Sequence, residues 1–134
     1  MMTYGIGIRV PEPVDEVRNR LLDALREQGF GVLTEIDIQA TLREKQGVDI
    51  GPYVILGACN PSLAARALDV DRRIGMLLPC NVVLRADGAE TVVEALDPQV
   101  MVTVPEQPAL QPVADEAGRR IRDALETLSA TITG

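Results

Sequence analysis

Gly51-Pro52-Tyr53-Val54-Ile55-Leu56-Gly57-Ala58-Cys59-Asn60-Pro61-Ser62 is the stretch on which the fold turns. Tyr53 to Ala58 is almost continuously apolar, as a central strand covered by its neighbours is, and Gly51-Pro52 ahead of it marks a turn. Asn60-Pro61-Ser62 then opens a helix, because Pro61 suits the first helical position, where a missing N–H is no loss. A strand is thus handed directly to a short helix that runs to about Leu68.

The same alternation of strand and helix extends in both directions. Upstream, Thr3 to Val10 carries Tyr, Ile and Val and is ended by Pro11 and Pro13, which predicts a first strand. Val14, Val17, Leu21, Leu22, Ala24 and Leu25 follow at helical spacing, with Asp15 and Glu16 in the first turn and Gly29 as the stop. Phe30 to Ile36 reads as a second strand, and Asp37 caps a short helix through Lys45, with Gly47 past its end. Downstream, a charged loop from Asp69 to Arg73 leads to a strand over Leu77 to Arg85. Asp87-Gly88 is a hairpin signal, and Thr91 to Leu96 is the returning strand, broken by Asp97-Pro98. Val100 to Val104 reads either as a short strand or as a crossing segment. Pro105, Pro108 and Pro112 mark an irregular connector, and Val113, Ala117, Ile121, Ala124, Leu125 and Leu128 give a closing amphipathic helix. The predicted fold is α+β in the order β-α-β-α-β-α-β-β-α. It is a two-layer α/β sandwich with a mixed sheet of about five strands and helices packed on one face.

The 134 residues are expected to form one domain, 1–134, without repeats or low complexity. With one Phe, two Tyr and no Trp, its core has to be built from Val, Ile, Leu and Ala. A net charge of −7 argues against nucleic acid and against anionic membrane surfaces as partners. No apolar run reaches the roughly 18 residues of a membrane span, and Met1 to Val10 lacks the pattern of a signal peptide, so the expected location is the cytoplasm. The chain has no histidine, which removes the commonest general base, the commonest metal ligand and every Ser–His or Cys–His pair.

What chemistry is left gathers at two segments. Leu56-Gly57-Ala58-Cys59-Asn60-Pro61 puts a cysteine at a strand end beside a helix N-terminus, where free N–H groups and the helix dipole favour a thiolate. Leu78-Pro79-Cys80-Asn81-Val82 starts a strand with the other cysteine. In a reducing compartment the two are expected to be thiols rather than a disulfide. They suit a redox or sulfur-carrying pair, or a soft-metal site with two thiolates per chain completed across a dimer. Cys59 alone would suit a nucleophile, and both thiols would equally suit plain packing as small hydrophobes. Lys45 is the one lysine beside twelve arginines. It is either the dipole partner of its short helix or a cation that folds back toward the thiols. Arg119, Arg120 and Arg122 read as a solvated face.

Gly29 to Asp37, Ile38 to Lys45, the run Ile55-Leu56-Gly57-Ala58-Cys59-Asn60-Pro61 and the run Leu77-Leu78-Pro79-Cys80-Asn81-Val82-Val83 together resemble domain-of-unknown-function family 302. The likeness covers nearly the whole chain. It implies a compact α+β homodimer with no established activity, in some members associated with sulfur or redox metabolism. The family's recurrent positions fall here on Lys45, Gly57, Cys59, Asn60, Pro61, Pro79, Cys80 and Asn81. The expected function is a homodimeric binding or carrier module rather than an enzyme, with a small-molecule or sulfur-containing ligand at Cys59, Cys80, Asn60, Asn81, Lys45 and Gly57. No particular cofactor is implied, and Cys59 and Cys80 are the only metal candidates. The alternatives are a thiol-dependent sulfur transferase or reductase, and an interaction domain with buried thiols.

Overall fold

A computed structural model describes residues 3–133 of the chain, and side chains as far as residue 130. Its strands are β1 Gly5–Val10, β2 Gly31–Asp37, β3 Tyr53–Cys59, β4 Cys80–Asp87 and β5 Glu90–Leu96. Its α-helices are α1 Val14–Glu27, α2 Ile38–Gln46, α3 Pro61–Val70, the single turn α4 Val100–Thr103, and α5 Gln111–Thr133. The fold is α+β, with helices α1 and α5 on one face of a five-stranded sheet. Of two 3-10 turns, Pro108–Leu110 lies in the expected proline connector, whereas Arg72–Leu77 begins in the charged loop and takes the place of the expected strand start, so that β4 begins only at Cys80. The ambiguous segment at Val100 is helical.

The sheet order is β1-β5-β4-β3-β2, and every neighbouring pair is antiparallel. This corrects the mixed sheet expected from the alternating elements. The reason lies in α2 and α3, which turn the chain round at a strand end instead of carrying it back across the sheet. Asp37 pairs with Val54 on either side of the α2 excursion. Of the strands consecutive in sequence only β1 and β2 run parallel, and these stand at opposite edges. β4, rather than the more apolar β3, is the middle strand.

Strand alternation sends Leu56 and Ala58, Cys80, Val82 and Leu84, and Val93 and Ala95 to the inner face. There they meet Val17, Leu21, Ala24 and Leu25 of α1 and Ile121, Ala124, Leu125 and Leu128 of α5. Each fully buried Val, Leu or Ile among them contributes roughly 1.5–3 kcal/mol of transfer free energy. A second, smaller core forms off the end of the sheet from Leu63 and Ala67 of α3, Ile74, Met101, Leu110 and the N-terminal half of α5. The seam between the two cores is where β3 ends and β4 begins. Among the described residues the core helices α1 and α5 cover only the inner face of the sheet, and no helix packs on the outer one.

Candidate functional site

Cys59 is the last residue of β3 and Cys80 the first of β4, and Ala58 pairs directly with Cys80. The two thiols therefore come from adjacent strands at one end of the sheet, and both line a single cavity of about 30 Å³. Apart from Asn60 its other walls are apolar, among them Phe30, Leu63 and Ala67 of α3, Leu78, Met101 and Val113. That volume admits about one water molecule and lies far below the roughly 300 Å³ of a typical small-molecule pocket.

The two sulfurs differ in environment. Cys59 is partly exposed and Cys80 is buried, and both are free thiols. Burial, and secondarily the neighbouring Cys59, push the Cys80 thiol up to about 11. Cys80 is accordingly an uncharged S–H at neutral pH and a poor nucleophile.

Asn60 lines the same cavity and joins it to the helices. Its Oδ1 accepts from the Leu63 N–H at 3.3 Å, capping α3, while its Nδ2 donates to the Gln28 carbonyl at 3.3 Å. Arg120 Nη1 donates to the same carbonyl at 3.0 Å. Gly29, at φ +84°, lies against this knot, and a side chain there would come within 3.1 Å of Asn60 Nδ2. Asn60 thus ties the C-terminus of α1 to the N-terminus of α3, and both ends of its amide are occupied. Arg120, read from the sequence as part of a solvated face, belongs to this knot, and its Nε also reaches Glu116 at 3.3 Å. Nothing in its spacing signals that role. Phe30 was legible as the chain's single phenylalanine and is a wall of the cavity.

The remaining candidates lie elsewhere. Asn81 pairs with Gly57 and is exposed on the outer face, since neighbours along a strand point to opposite sides. Gly57 is a packing position, because a Cβ there would meet Thr34 Oγ1 and would lie 2.9 Å from Pro79 Cγ. Lys45 is on exposed α2, joined to the Asp37–Val54 end of the β2–β3 pair, whereas Cys59 pairs with Gly31 at the other end. Some five strand residues, about 17 Å, separate the two ends. Lys45 therefore does not reach the thiols. Among the described residues no group of three or more His, Cys, Asp or Glu side chains gathers as metal ligands.

Comparison with known proteins adds the following. The family description "Domain of unknown function DUF302" matches residues 6–128. A crystal structure of an uncharacterized conserved protein DUF302 from Bacillus stearothermophilus is similar at 31% identity, with a TM-score of 0.88, over 94% of this chain and 98% of that one. No curated protein matches. No helix among the described residues is long and apolar enough to cross a membrane.

Proposed function

The chain belongs to the DUF302 family, and we propose that within it the protein is a cytoplasmic binding or carrier module rather than an enzyme, holding sulfane sulfur as a persulfide on Cys59. The observation that carries this reading is the single small cavity lined by both thiols, one of them reachable and the other not. An organic ligand is too large for it, whereas one added sulfur atom is of the right size. In the loading step the Cys59 sulfur attacks a small polysulfide. The polysulfide S–S bond breaks, Cys59–S–SH forms, and the shortened polysulfide leaves with the electron pair. Cys80, kept protonated by burial, stays a thiol beside the persulfide and presents its weak S–H donor to it.

The module is further inferred to be a homodimer. Four large apolar residues, Leu33, Ile36, Val48 and Ile50, are exposed along β2 and the α2 loop, and β2 has a free edge. A second copy adding its own edge there would cover them. One measurement tests both parts: native mass spectrometry of anaerobically purified protein before and after treatment with sodium polysulfide. The expected product is a dimer with one extra sulfur per chain, removed by dithiothreitol and absent in Cys59→Ser. Uptake unchanged in Cys59→Ser would refute the carrier reading.

A second reading, an interaction domain with thiols that only pack, is favoured by the purely structural bonds of Asn60. It predicts a dimer that gains no sulfur and whose cysteines alkylate only after denaturation.

A further inference from the structure

We propose that the helix-free face of the sheet binds a neutral, planar heteroaromatic molecule in a groove between Tyr4 and Tyr53. This site shares no residue with the thiol cavity. The chain has three aromatic residues, and with Phe30 in the core both tyrosines line this one groove, of about 560 Å³. That volume falls within the roughly 300–1,000 Å³ of small-molecule pockets. Neither hydroxyl bonds to another described residue, and Tyr4 is 72% exposed. Aromatic faces left open on a sheet surface are stacking platforms.

Three further observations point the same way. Asn is a poor strand residue, yet Asn81 stands on the outward face of β4 with its amide donor and acceptor both unused among the described residues. A side chain that can both donate and accept suits the edge of a heteroaromatic ring. Next, glycine weakens a strand unless something must come close, and β1 has it twice on the outer face. A Cβ on Gly7 would lie 2.9 Å from Glu94 Cγ and one on Gly5 3.4 Å from Glu94 Oε2. Glu94 therefore lies over β1, and the groove beside it stays open above Val83. Finally, Glu94 Oε1 accepts from Arg85 Nη2 at 3.2 Å, so the one cation in the groove is already neutralised. With a chain charge of −7, this selects against phosphorylated ligands. The groove follows β4 from Asn81 to Arg85, four residues or about 13 Å, which is the span of a fused tricycle rather than of a single base.

Riboflavin is the probe, with adenosine as the shorter and FMN as the charged comparison, in fluorescence and calorimetric titrations. The expected result is saturable riboflavin binding with the flavin emission quenched by tyrosine. FMN and adenosine should bind more weakly. Tyr53→Leu should weaken riboflavin about tenfold through lost stacking, and Asn81→Ala about fivefold through a lost hydrogen bond. Asn81 is exposed and Tyr53 half-buried on the outer face, and the urea midpoints of both variants check that they keep the fold. Absence of saturable binding by riboflavin and adenosine alike would overturn the proposal. Equal affinity in both variants, or FMN binding tighter than riboflavin, would overturn it as well.

Discussion

Burial holds the Cys80 thiol at about 11, against an ordinary 9.0, and this ties stability to alkaline pH. Below about pH 9 the thiol is protonated in both folded and unfolded chains, and its contribution is complete. As pH rises from there, the unfolded chain gains by ionising while the folded one does not, so stability is lost until the folded thiol ionises near 11. The loss reaches roughly 2–3 kcal/mol. We expect the urea midpoint of the reduced protein to fall more between pH 8 and 11 than that of Cys80→Ala. Equal falls would show that the thiol is not the group responsible. At this scale the sequence was informative about the cysteines, since a strand end and a strand start beside each other in a sheet do bring Cys59 and Cys80 to one cavity. It misled about Asn81, which is adjacent to Cys80 in the chain but on the far side of the sheet by the period-two rule alone.

Helix α2 has no buried residue, although its caps are complete: Asp37 Oδ1 accepts from the Ala40 N–H at 2.9 Å, and Gly47 adopts φ +65°. Local signals of this kind are what a sequence displays openly, and Asp37, Gly47, Asn60 and Pro61 all do in the structure what their types suggest. Packing is a different matter. With only Ile38, Gln39 and Leu42 half-covered, α2 should open far more readily than α1 or α5, whose apolar stripes fill the core. Hydrogen exchange on dilute protein is expected to show α2 amides exchanging at least about a hundredfold faster than the central amides of α1. Comparable protection in dilute, monomeric protein would mean that α2 is held by contacts beyond those seen. The direction of the strands flanking α2 was not legible, because a helix between two strands is compatible with either a crossover or a turn-back. That ambiguity also displaced Lys45: a turn-back leaves α2 at the end of the sheet remote from Cys59.

Across the whole molecule, acidic residues outnumber basic ones 20 to 13. The ion pairs, Arg9 with Asp87 and Arg85 with Glu94 among them, are substantially exposed, and such pairs contribute about 0–1 kcal/mol each. Repulsion among the uncompensated carboxylates should outweigh them. Raising sodium chloride from about 0.01 to about 0.15 M shortens the screening length from about 30 to about 8 Å and should stabilise the fold by on the order of 0.5–1 kcal/mol. A lower urea midpoint at the higher salt would mean that the pairs dominate instead. Fold class and element order were legible at this scale because periodicity and punctuation are local. Strand order was not, since it is decided by which edges find each other over long stretches of chain. That order places β1 and β2, the first two described strands, at the two outer edges, and among the described residues β5 is the only strand that pairs with β1. Both borders of the sheet therefore precede its middle along the chain. Within the chain, β1 finds its partner only some 80 residues further on, at Thr91 to Leu96.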